Sequence, residues 1–383
     1  MKKVSLFLLG LVLAALLAAC GDNATKEAFP VASVNPKAGE IAVSTPGPVP
    51  GTVINFPQDE APHNVLTEWW YYTGHVVTTD GQRYGLEFVT FQGIRGDFPP
   101  GYVMHFAITD EANQKFTNTQ SLSFTGSKAS FGGTNGFDLK TDLGTMRGLN
   151  GVDNLKASME NGQYAIDLTV KDTQGVALHG GGQFTYGPGG NSYYYSRPRM
   201  TPSGTITVNG QTRQIKDGII WFDHQWGNFI TLGGGWDWFS TQLEDGTSLM
   251  FYNLRDNDGK LLQVFATYIL PCQQDCRPDK PLKSIDLNEK GITITPTSNW
   301  TSPATGVTYP STWNVKVTAD PSRGVPELNL NYKPTVPGQE LDTRKTTATI
   351  YWEGDQLITG TKNGAPINGS GYVELTGYAN TKK

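Results

Sequence analysis

Seven of this chain's Asp-Gly and Asn-Gly pairs separate short alternating segments: Asp80-Gly81, Asn150-Gly151, Asn161-Gly162, Asn209-Gly210, Asp245-Gly246, Asp258-Gly259 and Asn363-Gly364. Such pairs accept the left-handed backbone of a two-residue hairpin turn, and they are the strongest short-range signal for antiparallel strands. Between them run short alternating segments rich in Thr, Tyr, Val and Trp, with no long amphipathic helical pattern. The chain is therefore expected to be all-β, made of meandering hairpins as sandwiches or up-and-down barrels.

The ends carry different information. Lys2 and Lys3 precede an apolar run over residues 4–19, which closes on Leu17-Ala18-Ala19-Cys20. This reads as a targeting segment (1–19), and its last four residues resemble a bacterial lipobox, which implies cleavage before Cys20 and a lipid on its sulfur. An ordinary secretory signal with a chance Cys is the alternative. A lipid anchor would place the protein outside the cytoplasm, in the cell envelope, with the membrane as a partner. Residues 20–50 are mostly small or Pro and read as a flexible leash reaching roughly 30 Å. No second apolar run is long enough to span a membrane.

With 383 residues in all, the chain beyond the leash is too long for one small core, and two domains are expected. A weak internal repeat points the same way. Glu68-Trp69-Trp70-Tyr71-Tyr72 enters a strand that turns at Asp80-Gly81, and Gly235-Trp236-Asp237-Trp238-Phe239 enters one that turns at Asp245-Gly246. If each opens a barrel, the units are 51–230 and 231–383; chance likeness of aromatic hairpins is the alternative. The formal charge of −5 and pI near 5.6 argue against nucleic acid as a partner. Cys272 and Cys276 suit a local disulfide in an oxidising compartment. Half of a zinc site is the alternative, but no His or further Cys lies near them in sequence. No nucleophile elbow, P-loop or His-Glu-x-x-His is present, so neither a cofactor nor a metal is expected.

The densest chemistry lies in Trp221-Phe222-Asp223-His224-Gln225-Trp226-Gly227. Read as a strand, Phe222, His224 and Trp226 share one face, while Trp221, Asp223 and Gln225 share the other. His224 and Trp226 then enter one cavity together, and Asp223 does not pair with His224. A His beside an indole can donate a proton to an apolar substrate while the ring face steadies a developing cation. A buried, hydrogen-bonded core His packed on Trp has the same spacing. In Phe251-Tyr252-Asn253-Leu254-Arg255, one face is expected to meet that cavity, through the Tyr252 hydroxyl or the Asn253 amide. Glu68 sits among Trp69, Trp70, Tyr71 and Tyr72; it is either a buried acid or, more commonly for such a Glu, a rim residue paired with an Arg. His105 reads as a satisfied core residue. Arg197 and Arg199, after Tyr193-Tyr194-Tyr195-Ser196, either clamp an anion or face solvent.

Several of these segments are similar to the AttH-like/carotenoid 1,2-hydratase family. They are Phe56-Pro57-Gln58-Asp59, Thr67-Glu68-Trp69-Trp70-Tyr71-Tyr72-Thr73-Gly74, His105-Phe106-Ala107-Ile108-Thr109-Asp110, Tyr194-Tyr195-Ser196-Arg197-Pro198-Arg199 and the motif at 221–227. Tyr351-Trp352-Glu353-Gly354 and Gly371-Tyr372-Val373-Glu374-Leu375-Thr376-Gly377-Tyr378 continue the match in order, from about residue 52 to 378. The resemblance implies two consecutive lipocalin-like antiparallel β-barrels acting on an apolar small molecule. It also implies cofactor-free addition of water to a double bond, as in the hydratases, with their His-x-Trp falling on His224 and Trp226. Their later Tyr-x-Asp falls on Phe251-x-Asn253 or Tyr252-x-Leu254, so the carboxylate is missing there. The expected site is thus His224, Trp226, Tyr252 and Asn253, with Glu68, Trp70, Tyr72, Phe222 and Phe251 around the ligand. A non-catalytic carrier of a hydrophobic ligand, or an adhesion module, are the rival readings.

Overall fold

The computed structural model describes residues 54–94, 99–124, 134–230 and 234–380. The targeting segment, Cys20 and the leash lie outside the described residues. Strands dominate, joined by tight turns. The first sheet holds β1 (Thr67–Thr78), β2 (Arg83–Gly93), β3 (Gly101–Asp110), β4 (Lys115–Ser123), β5 (Phe137–Lys140), β6 (Gly144–Leu149), β7 (Val152–Met159), β8 (Tyr164–Asp172), β9 (Ala177–Thr185), β10 (Gly190–Val208) and β11 (Gln211–Phe229). The second holds β12 (Gly235–Leu243), β13 (Ser248–Arg255), β14 (Leu261–Ile269), β15 (Ser284–Leu287), β16 (Ile292–Thr301), β17 (Thr308–Val317), β18 (Leu328–Pro334), β19 (Glu340–Asp342), β20 (Ile350–Lys362) and β21 (Ala365–Leu375). Among the described residues no helix is long and apolar enough to cross a membrane.

The seven Asp-Gly and Asn-Gly pairs named above all fall between consecutive paired strands, whereas Asp217-Gly218 and Asn368-Gly369 lie inside β11 and β21. Both residues have positive φ at Asn150-Gly151, Asn161-Gly162, Asn209-Gly210 and Asn363-Gly364, the backbone that matches the twist of a hairpin. Each sheet is antiparallel and pairs its first strand with its last, β1 with β11 and β12 with β21. The two strand orders correspond: 4-3-2-1-11-10-8-7-6-5 in the first and 15-14-13-12-21-20-18-17-16 in the second. Each sheet curls around its own core. The inward faces of β1–β3 meet those of β5–β8 in one cluster around Trp70, Phe88, Phe106, Met146 and Leu168. Tyr72 of β1 reaches across it to donate to Asp153 Oδ2 of β7 at 2.8 Å. Phe239, Trp313, Tyr332, Trp352 and Val373 centre the second core.

A third apolar layer lies between the barrels. Trp221, Tyr194 and Phe229 of the first pack on Trp238, Met250, Tyr252, Leu254 and Tyr372 of the second. This layer explains the burial patterns. Along β7 exposed and buried residues alternate, as one wet face requires, whereas every residue of β3 is buried. Burying each large apolar side chain is worth about 1.5–3 kcal/mol, so the shared layer holds the barrels together.

At one edge of this layer Arg83 of β2 donates to both oxygens of the fully buried Asp355 of β20, at 2.7 and 3.3 Å, and also to Glu111. Gly85 permits the approach: a Cβ there would lie 2.8 Å from Asp355 Cβ and 3.1 Å from the Tyr372 hydroxyl. Removing one partner of a buried pair strands the other charge. Arg83→Leu should therefore cost about 3 kcal/mol in denaturant unfolding, and adding Asp355→Leu should recover most of that loss. Additive losses in the double variant would show that the bridge does not couple the barrels.

Candidate functional site

The site begins with the period-two geometry of β11. Phe222, His224 and Trp226 point into barrel 1, and Trp221, Asp223 and Gln225 point out toward barrel 2. Adjacent residues of one strand thus serve two chambers.

Inside barrel 1, His224 lies opposite Trp70 on β1 and Tyr195 on β10. Its Nε2 is 2.8 Å from Glu68 Oε1, and both side chains are fully buried. The same Glu68 oxygen lies 2.7 Å from His63 Nδ1. Glu68 Oε2 accepts from the His63 backbone N–H at 2.8 Å and from Gln92 Nε2 at 2.9 Å. Two indoles border the imidazoles: Trp226 stacks on His63 at 4.3 Å, and Trp70 on His224 at 4.8 Å. Burial lowers the His224 pKa, against the pull of Glu68. Despite its own burial, His63 is held up at about 9 by Asp59 and Glu68.

On the other side of β11 lies a cleft of about 120 Å³ between the barrels. Barrel 1 contributes Trp69, Tyr71, Phe91, His105, Tyr194, Asp223 and Gln225, and barrel 2 contributes Trp236, Trp238, Tyr252, Tyr351 and Glu374. Ring faces make most of its wall, which suits an apolar guest. Its polar groups are unusual. The Asp223 carboxylate accepts from Tyr194 OH at 2.6 Å, Trp221 Nε1 at 2.6 Å and Ser196 Oγ. Burial nonetheless pushes Asp223 up to about 7, against those three hydrogen bonds. Glu374 accepts from Trp236 Nε1 at 2.8 Å; burial, with the charge of Asp223 adding to it, pushes this carboxyl to about 7 as well.

Two further acids stand behind the wall. Glu353 lies opposite Glu374 across β20 and β21 and accepts from Tyr71 OH. Glu87 of β2 accepts from Tyr351 OH at 2.8 Å, and that hydroxyl lies 2.8 Å from His105 Nδ1. Burial and mutual repulsion drive Glu353 well up, and burial does the same to Glu87. Among the described residues none of the four carboxyls is ion-paired with Lys, Arg or His. Burial drops His105 to about 3, leaving a neutral imidazole. The site is therefore a set of carboxylic acids with raised pKa values among aromatic faces, and Asp223 and Glu374, at about 7, can give and take protons at physiological pH.

A hydrogen-bonded chain leaves this cleft. Ser196 Oγ, bonded to Asp223, lies 2.6 Å from His179 Nε2. His179 Nδ1 is 2.9 Å from Thr267 Oγ1, which donates to the half-buried Asp286 at 3.2 Å.

The structure separates residues that the sequence reading had grouped. Glu68, Trp70, Tyr72, Phe222, His224 and Trp226 lie in barrel 1. Tyr252 lines the cleft on the opposite side of β11, so it does not share a cavity with His224. Phe251 sits in the barrel 2 core, and Asn253 takes the same face of β13, its buried Oδ1 without a protein hydrogen bond. Glu68 is not a rim acid paired with an Arg, because two histidines reach it first. Arg197 is not solvent-exposed: buried in barrel 1, it donates to Glu60 and, at 2.7 Å, to Asp172. Arg199 is half-buried and donates to the Leu243 carbonyl at 3.2 Å. Cys272 and Cys276 form a disulfide. Sequence reasoning missed His63, Glu87, Glu353 and Glu374 as chemistry, although each of the three glutamates has buried residues on both sides of it in its strand.

The family model for AttH-like proteins matches residues 47–378. The chain belongs to the AttH-like family. The crystal structure of an AttH protein from Nitrosomonas europaea superposes with a TM-score of 0.72 at 28% identity, covering 87% of this chain and 99% of that one. Kievitone hydratase from Nectria haematococca gives 0.65 at 18% identity, over 87% of this chain and 96% of its own. CghA gives 0.53 at 11% identity, over 90% and 98%. The last two likenesses speak to the fold, and they share the lipocalin-like double-barrel plan of this AttH-like chain. No curated protein sequence matches the chain.

The raised carboxyls set a stability trend. Asp223 and Glu374 fold with pKa values of about 7 against ordinary values of 3.8 and 4.5, so the fold favours their protonated forms. Their stabilisation is complete below about pH 4 and is lost as pH rises through 7, by a few kcal/mol per group. Glu374→Gln should flatten the fall of Tm between pH 5 and 8 relative to the parent protein. Parallel Tm profiles would show that Glu374 is already ionised in the fold.

Proposed function

We propose that this AttH-like protein binds an apolar, unsaturated small molecule between its barrels and adds water to, or removes it from, a carbon–carbon double bond. The observation that carries this reading is a pair of acids on the wall of an aromatic cleft, the buried Asp223 and the half-buried Glu374, neither ion-paired among the described residues. One acid, protonated at neutral pH, gives its proton to an alkene carbon. The faces of Trp69, Trp236, Trp238 and Tyr252 steady the cation that forms at the other carbon. Water bonds to that carbon and loses a proton to the second carboxylate. The atoms of one water are then added, and the reverse sequence dehydrates. The chain through Ser196, His179 and Thr267 connects Asp223 with Asp286 and offers a route by which its proton is restored. The likeness to a hydratase supports the reaction class without naming the substrate. The targeting segment and Cys20 support an exported protein held at a membrane of the cell envelope by lipid, drawing its ligand from an apolar phase.

A second reading places the reaction inside barrel 1, with His224 as proton donor; the 2.8 Å contact with Glu68 between two indoles favours it. The two are distinguished by incubation with a panel of short acyclic isoprenoids in oxygen-18 water and mass spectrometry of the products. Asp223→Asn and Glu374→Gln should each lower kcat by about 10²–10⁴ with ligand affinity within a few-fold of the parent. Loss of turnover only in His224→Ala would move the reaction to barrel 1. Binding without labelled product in any protein would leave a carrier.

A further inference from the structure

We propose that His63, Glu68 and His224 bind one divalent transition-metal ion of the zinc type at the end of barrel 1 covered by residues 54–66. This site lies on the opposite face of β11 from the cleft and does not rest on the hydration reading.

The donor set is two imidazoles and one carboxylate, a combination that suits zinc and its first-row neighbours and leaves a coordination position open. The three ligand atoms converge: Nδ1 of His63, Nε2 of His224 and a Glu68 oxygen all lie within 4.8 Å of one another. Both nitrogens now meet the same oxygen, at 2.7 and 2.8 Å. Around a tetrahedral ion with bonds of about 2.0–2.2 Å, ligand atoms stand roughly 3.3 Å apart. Seating the ion therefore means opening each His–Glu gap by about half an ångström and drawing the two nitrogens together. His63 can make that adjustment because it precedes β1 on a covering segment, whereas Glu68 and His224 are held in paired strands.

The surroundings are those of a supported ligand set. Metal-bound histidines usually give their second N–H to an oxygen that fixes the ring. Here His63 Nε2 lies 3.3 Å from Asp59 Oδ1, and His224 Nδ1 lies 3.3 Å from Tyr195 OH. The Glu68 oxygen not shared by the imidazoles is held by Gln92, whose own Oε1 accepts from Tyr102 OH at 3.0 Å. Trp226 and Trp70 fix the planes of the two imidazoles. The charge is also right. Glu68 and Asp59 bring two carboxylates, and among the described residues neither is ion-paired with Lys or Arg. The nearby buried Arg197 is taken by Glu60 and Asp172. His63 is the member of the set nearest solvent: its side chain is 15% exposed while those of Glu68 and His224 are fully buried.

The test uses the untagged full-length protein in detergent, stripped with a chelator and titrated with Zn²⁺ by calorimetry and with Co²⁺ by visible absorption. One ion per chain is expected, with a strong four-coordinate cobalt spectrum and a Tm raised by zinc. His63→Ala should weaken binding by at least tenfold and abolish the zinc-dependent rise in Tm while keeping the parent's circular dichroism. Asp59→Asn, which meets His63 only at the nitrogen away from the ion, should weaken binding about tenfold. No binding by the parent would overturn the proposal and leave Glu68 as an anion held by hydrogen bonds alone. Binding that persists unchanged in both variants would overturn it equally, by placing the ion elsewhere.

Discussion

The outer faces of β1, β2, β3 and β11 are covered by a second barrel, and the rest of the molecule's chemistry depends on that covering. An antiparallel sheet ordinarily leaves one face to water. Here the face that would have been wet carries Trp69, Tyr71, Glu87, His105 and Asp223, and barrel 2 takes water away from it. Carboxyls that would be ordinary surface anions become acids titrating near neutrality. Neither barrel needs a hollow core for this. The space for a guest between the barrels arises where their two outer surfaces meet.

The matching strand orders add a reason why the meeting place holds the chemistry. Two barrels of one plan bring different outer faces together, so the cleft is asymmetric although the halves are alike. Barrel 1 supplies Asp223, backed by Tyr194, Ser196 and Trp221. Barrel 2 supplies Glu374 and, one strand over, Glu353, a pair whose mutual repulsion would be costly in water and costlier when buried. Arg83 and Asp355 neutralise the edge of the same interface, while the four acids nearer the cleft have no ion pair among the described residues. The contrast shows that the interface has cations available and that they are not spent on the cleft.

The fold was legible because its signals are local. Seven Asn-Gly and Asp-Gly pairs each state their own turn, and alternation along 221–226 correctly assigned the faces of Asp223 and His224. What lay beyond reach was long-range. Nothing near Glu68 in sequence announces His224, 156 positions away, so an Arg partner was the reasonable expectation. Tyr252 was grouped with His224 because one face of its strand was expected to meet the same cavity, yet which face of β13 meets barrel 1 depends on docking and not on periodicity. Glu87, Glu353 and Glu374 did leave a trace: they interrupt strands whose neighbours on both faces are apolar or aromatic, the mark of a strand without a solvent side. His63 left none, since its role comes from where the covering segment lands.

One feature of β11 carries a consequence for how this family can vary. Asp223 and His224 are adjacent in sequence but face different chambers, one between the barrels and one within. A strand tolerates many substitutions, but a single inserted or deleted residue turns every following side chain to the other face. Between Trp221 and Trp226 such a change would send the imidazole into the cleft and the carboxyl into the packed barrel. Length change in this stretch is therefore closed to evolution even where sequence change is open. Loops at the far ends of the same sheet remain free to grow.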